Sequence, residues 1–228
     1  MTIRSPAASS RVAVTGHEGH LFLVFVSITP RVLAMRQNTA LKILNAQADA
    51  GRAVFTRRDL DSLFRSDRTK ARKAGIARLV EAGWLKPAAR GVYVYPPGLP
   101  QDGYTLERIA RALRRGEYNY ISLESALSEW GAISQIPLGH LTVMTTGRKG
   151  VFRTAWGTLE LTHTARPVQD ILQHTVHDRQ RPLRIATPEA AWRDLKRVGR
   201  NTEMVNQEEL QDIIQDRAEA LLGTPATD

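Results

Sequence analysis

The stretch Thr56–Tyr95, TRRDLDSLFRSDRTKARKAGIARLVEAGWLKPAARGVYVY, decides the fold of the first part of the chain. Thr56 offers a helix N-cap, with Asp59 three residues on as a variant of the capping box. Leu60, Leu63 and Phe64 then form the buried face of that helix. Ser66 or Asp67 is placed to cap a further helix running to about Ala82, with Ile76, Leu79 and Val80 inward and Gly83 closing it. Gly75 sits inside it at a cost of about 1 kcal/mol against alanine, which close packing of helix on helix would explain. Trp84-Leu85, a turn over Pro87–Gly91 and the alternation from Val92 to Tyr95 predict a β-hairpin. Upstream, Ala40, Leu41, Leu44 and Ala48 recur at helical spacing between Thr39 and Ala50, and Gly51 ends that helix. Three short helices followed by a hairpin is the order of a winged helix-turn-helix, here spanning residues 36–97.

Pro96-Pro97-Gly98 with Pro100 reads as a stiff linker and a domain boundary. Residues 98–228 then predict a mixed α/β domain with a small sheet, so the whole chain is of the α+β class. Its helices are expected at Tyr104–Arg115, at Ser122–Trp130 with Gly131 as the stop, and from Thr187, where Pro188 follows the cap. Strands are expected at Leu141–Thr145, Val151–Trp156, Thr158–Thr164 and Leu183–Ala186. The tail from Glu203 carries seven acids against Arg217 alone, with Leu210, Ile213, Ile214 and Leu221 on one side, and predicts an acidic amphipathic helix.

The net charge of +9 is unevenly placed. Residues 36–95 hold 13 Lys/Arg against 5 Asp/Glu, whereas residues 96–228 hold 16 against 17. A basic block confined to one small domain is the footprint of a nucleic-acid binder. Within it, Arg65, Arg68, Thr69, Lys70, Arg72 and Lys73 crowd the start of the third helix, the slot from which a recognition helix meets the major groove. Cations there release counterions from phosphates, and an arginine fork matches guanine O6 and N7. Lys86 and Arg90 are expected to flank the hairpin turn, where a wing meets the DNA backbone. In the second domain Arg148, Lys149 and Arg153 are expected to cluster at one basic hairpin turn, Gly147–Gly150, as a partner-facing surface.

No cysteine is present, which removes disulfides, thiol catalysis and thiolate zinc sites and fits a reducing, cytoplasmic setting. His163, His174 and His177 invite a metal reading, but without an HExxH motif, a third well-spaced ligand or a cysteine they are read as surface histidines. No phosphate-binding, dinucleotide, hydrolase or kinase motif occurs, so neither a cofactor nor a catalytic residue is expected.

Residues 1–35 read as an arm. Leu21–Ile28, LFLVFVSI, is too short for a bilayer, which takes about 20 apolar residues. It admits three readings: the h-region of a signal peptide, an element packed on the body, or part of an extension upstream of a start at Met35.

The order of parts resembles the AbiEi antitoxins of bacterial abortive-infection and type IV toxin–antitoxin operons. The resemblance rests on RLVEAGWL (78–85) leading to RGVY (90–93), and on ISLESAL (121–127) with Gly131. It rests further on LTVMT (141–145) and TPEAAWRDL (187–195), covering roughly residues 38–200. The arm departs from the pattern. The resemblance implies a non-enzymatic transcriptional autorepressor that binds inverted repeats in operator DNA. It also implies a second domain that counteracts a nucleotidyltransferase-like toxin, with or without a stable complex. Two other classes stay open: a transcription factor with a small-molecule-sensing second domain, and an enzyme that modifies the toxin.

Overall fold

The computed structural model describes residues 35–134 and 139–223. The expectations for the arm, Leu21–Ile28 included, lie outside the described residues, as does the side chain of Leu221. The first lobe runs α1 (Gln37–Asp49), β1 (Val54–Thr56), α2 (Arg57–Leu63), α3 (Thr69–Glu81), β2 (Lys86–Ala89) and β3 (Val92–Val94). The expected capping box at α2 is formed: Thr56 Oγ1 accepts from the Asp59 amide at 3.2 Å, and Asp59 Oδ2 accepts from the Thr56 amide at 2.8 Å. The cap of α3 differs from expectation. Arg68, in extended conformation, precedes the first helical residue and makes no side-chain cap bond. The turn through Arg65–Asp67 is consumed in closing α2, where the Asp67 amide bonds to the Phe64 carbonyl.

A third strand, β1, joins the predicted hairpin to give the order β1-β3-β2, all antiparallel. The alternation along β3 explains how this sheet is used. Tyr93 and Tyr95 face the first lobe's own core with Leu44, Phe55, Leu60, Ile76 and Leu79, and the Tyr95 hydroxyl donates to Asn45 Oδ1 at 2.6 Å. Val92 and Val94, with Val54 and Ala88, face the other way into the core of the second lobe. Burying those three valines is worth roughly 1.5–3 kcal/mol each, so the two lobes share an apolar seam.

Gly75 is explained by a closer neighbour than a second helix. A Cβ there would lie 2.7–2.9 Å from the side chain of Met35, which is itself buried. The Arg78 guanidinium donates to the Met35 carbonyl at 3.2 Å and fixes this chain entry against α3.

The second lobe runs α4 (Thr105–Leu113), β4 (Asn119–Ile121), α5 (Leu123–Trp130), β5 (His140–Thr145), β6 (Gly150–Thr154) and β7 (Gly157–His163). It continues through α6 (Val168–Gln173), β8 (Thr175–Val176), β9 (Arg184–Ala186), α7 (Pro188–Val198) and α8 (Gln207–Gly223). Its sheet has six strands, not the four expected, in the order β6-β7-β5-β4-β9-β8, with β5–β7 and β4–β9 parallel. The strands that went unread, β4 and β8, are three and two residues long, too short to show a period.

This order corrects the reading of Gly147–Gly150. β5 and β6 are not partners, because β7 lies between them. The loop therefore crosses the end of β7, where His163 Nδ1 lies 2.9 Å from the Gly147 carbonyl. β6 in turn packs beside β2 of the first lobe.

The motif residues of the second lobe form its buried polar frame. Asp194, fully buried on α7, accepts from the Tyr120 hydroxyl at 3.0 Å, the Ser122 hydroxyl at 2.9 Å and Arg166 at 2.8 Å. Ser125 Oγ accepts from the Thr142 amide at 2.9 Å, and Thr142 Oγ1 donates to the Ser122 carbonyl at 2.7 Å. Glu124 accepts from Arg200 at 3.0 Å and Asn201 at 2.7 Å. Thr187 caps α7 by accepting from the Ala190 amide, with Pro188 next, as expected. On α8, Leu210 is buried and Ile213 and Ile214 pack on the same core, leaving the acids outward.

Candidate nucleic-acid interface

Helical geometry sorts the residues of α3 into two faces. Ala71, Gly75, Ile76 and Leu79 are buried, whereas Thr69, Lys70, Lys73, Ala74 and Ala77 are exposed. The outward face thus carries two lysines at i and i+3 beside two alanines, whose small side chains let a groove approach the helix backbone. Arg65 and Arg68 precede this face, both exposed and without an ion-pair partner among the described residues. Arg72 is engaged. Its Nε donates to Asp61 at 2.7 Å and its Nη1 to the Asp67 carbonyl at 3.0 Å, which ties the first turn of α3 to α2. Burial acts to raise the Asp61 pKa, but the hydrogen bonds from Arg72 and Arg57 outweigh it and hold it below the usual carboxylate value.

The hairpin turn is tighter than the expected Pro87–Gly91, because β2 extends to Ala89, and the hairpin separates its two cations. Arg90 lies exposed at the tip, whereas Lys86 lies at the open end, opposite Val94. The tip folds back on α2, the Arg57 amide donating to the Gly91 carbonyl at 2.7 Å. Arg57 also contacts Asp61 at 3.2 Å, so contacts run from the hairpin tip through α2 to the first turn of α3. This brings in a residue that sequence reading passed over. Arg58 is exposed in the first turn of α2 and has no ion-pair partner among the described residues. Its signal is electrostatic: two arginines at a helix N-terminus oppose the macrodipole, a placement that an external anion would reverse.

Asp59 joins this lobe to the next. It is buried and, besides its cap, accepts from both terminal nitrogens of Arg115 at 2.7 Å and from Arg52 at 2.6 Å. Burial acts to raise its pKa, but the hydrogen bonds from Arg115, Thr56 and Arg52 prevail and hold the carboxylate well below its usual range.

In the second lobe Arg148 and Lys149 are exposed in the crossing loop, and the Arg148 carbonyl accepts from Arg114 Nε at 2.7 Å. Arg153 is exposed toward the far end of β6, opposite Thr158, so it does not share a turn with the other two. The histidines diverge: His163 turns to Gly147, His174 to Asp170, and His177 is exposed. The Ser122 hydroxyl is spent on Asp194 and is fully buried.

The element order and three-stranded sheet of the first lobe are those of a winged helix-turn-helix, joined to an α/β lobe. Residues 46–96, in the first lobe, match the family described as transcriptional regulator, AbiEi antitoxin. The crystal structure of the RV2827C protein from Mycobacterium tuberculosis is similar at 19% identity and a TM-score of 0.47, over 86% of this chain and 75% of that one. No curated protein matches the chain. Among the described residues no helix is long and apolar enough to cross a membrane.

Proposed function

We propose that this chain is an antitoxin and transcriptional autorepressor acting in the cytoplasm, whose first lobe binds inverted repeats in its own promoter. The observation that carries the reading is the outward face of α3. Lys70 and Lys73 stand beside Ala74 and Ala77, and Arg65, Arg68 and Thr69 lead into them, all exposed. In this reading Lys70, Lys73, Thr69 and Arg68 meet the major groove and its phosphates, and Arg58 and Arg90 reach the backbone alongside. Arg72 positions α3 through Asp61. Lys86, at the open end of the hairpin, has the least access to the same surface.

The second lobe counteracts a nucleotidyltransferase-like toxin without itself being an enzyme. Its exposed charges are separated, with Arg148 and Lys149 in one loop and the acids of α8 elsewhere, as suits a specifically oriented partner.

Fluorescence anisotropy on the promoter duplex tests the DNA half. Lys70→Ala and Lys73→Ala each lower affinity and reduce the slope of log K against log salt by about 1. Unchanged affinity and slope in both variants would sink the assignment of α3. Co-expression with the neighbouring toxin tests the other half. The Arg148→Ala/Lys149→Ala pair, or removal of residues 203–228, abolishes rescue while promoter repression persists. Full rescue by both variants and by residues 36–95 alone refutes an antitoxin role for the second lobe.

A further inference from the structure

A concavity with a volume of about 650 Å³ lies between the lobes. Its walls are residues 51–54 of the first lobe, the end of α4 with the turn that follows it, and residues 179–182. Seven arginines line it against one carboxylate, Glu117. Four of the seven are neutralised inside the protein: Arg52 and Arg115 by Asp59, Arg108 by Asp102, and Arg181 by Glu107 and Glu129. The other three are not. Arg111 and Arg179 are exposed and have no hydrogen-bond or ion-pair partner among the described residues. Arg114 is held only by backbone carbonyls, of Leu113 at 3.1 Å and Arg148 at 2.7 Å, and lies over the Phe152 ring. Burial and the neighbouring Arg148 push its guanidinium below the usual value, and the Glu117 carboxylate nearby offsets this only in part.

Arg111, Arg114 and Arg179, with Glu117 the one carboxylate in the lining, repel one another, and a cleft lined by one sign of charge focuses their field into the space between them. Guanidinium forks pair bidentately with phosphate oxygens. The volume is that of a small-molecule pocket, within the range of about 300–1,000 Å³. No residue of α3 lines this concavity, so it is separate from the proposed operator surface and does not depend on it.

We propose that the interlobe cleft is a binding site for a small molecule bearing a polyphosphate chain, held by Arg111, Arg114 and Arg179. Two sources share that chemistry, a nucleoside triphosphate and inorganic tripolyphosphate.

Isothermal titration calorimetry on the full chain, near physiological salt of about 0.15 M, tests this with ATP, GTP, inorganic tripolyphosphate and AMP. Saturable binding of one polyphosphate per chain is expected, with AMP at least about tenfold weaker because it engages fewer guanidiniums. Arg111→Ala and Arg179→Ala each weaken it by about tenfold or more. Neither lowers the melting temperature of the free protein, since neither side chain has a partner to lose and each substitution removes a like charge from the cleft. Lys70→Ala, on α3, which lines no part of the cleft, leaves binding unchanged. Tighter binding of ATP or GTP than of tripolyphosphate identifies a nucleotide; equal binding identifies the phosphate chain alone as the ligand. The proposal is overturned if no polyphosphate binds, if the two arginine variants bind as the parent does, or if only a single-stranded oligonucleotide binds in an Arg111-dependent manner.

Discussion

Asp59→Ala removes two things at once, the cap of α2 and the anion that joins the lobes. Loss of a helix N-cap costs about 1 kcal/mol. Loss of a buried carboxylate with charge-assisted partners would cost about 3–5 kcal/mol if those partners were also buried. They are not: the Arg52 and Arg115 side chains are 41% and 51% exposed, so water takes over much of what Asp59 supplied. A total of about 3 kcal/mol follows, or a fall in Tm of roughly 6–12 °C for a chain of this size. The pH dependence has a definite sign. Because the folded-state pKa of Asp59 lies below its unfolded value, the stabilisation is complete above about pH 3.9 and is lost as pH falls further. Thermal unfolding by circular dichroism at pH 7 and near pH 3, on parent, Asp59→Ala and Asp59→Asn, reads both effects. The gap between parent and Asp59→Ala should narrow on acidification, and Asp59→Asn, which keeps a capping oxygen, should fall between the two. A gap at pH 7 below about 1 kcal/mol, or one that does not narrow in acid, would refute this account of the lobe junction.

Gly75→Ala should destabilise by about 1–3 kcal/mol although alanine favours helix, because the new methyl overlaps Met35; denaturant unfolding giving a gain would show that Met35 yields freely. Tyr120→Phe deletes one buried bond to Asp194 and should cost about 1–2 kcal/mol, whereas Asp194→Ala also unpairs the Ser122 hydroxyl and leaves Arg166 with Asp170 alone, and should cost about 3 kcal/mol or more; equal melting temperatures for the two would contradict the frame described. Arg181→Ala leaves Glu107 buried without its cation. Burial already outweighs Arg181 and raises the Glu107 pKa, so the stability of this variant should rise relative to the parent as pH is lowered from 7 toward 5, and a flat or opposite pH profile of Tm would exclude it.

Features fixed by near neighbours in the chain were legible before any coordinates. The Thr56–Asp59 box, the Thr187-Pro188 cap and the stop at Gly131 depend on residues one to four apart, so the backbone groups they satisfy are adjacent in sequence. The apolar spacing of α1 and α3 and the charge concentrated in residues 36–95 were equally readable, and with them the candidate face of α3. The AbiEi resemblance, too, rested on short runs.

Pairing between distant segments was not legible. Chain adjacency suggested that β5 and β6 form a hairpin, yet β7 inserts between them, because its Leu159 and Leu161 complete the core beside Val143 in a parallel register. The engagement of Arg72 depends on Asp61, eleven residues away across a turn, and nothing local distinguishes it from Lys70 or Lys73. The fate of Val92 and Val94 is likewise a matter of what lies on the second face of their sheet. Alternation says that both faces are occupied or that one is wet, and only the docking of α4 and β6 settles which. The arginine-lined cleft is the furthest case. Its walls come from residues near 52, 111 and 180, and a concavity with its charge balance exists only once those segments meet in space.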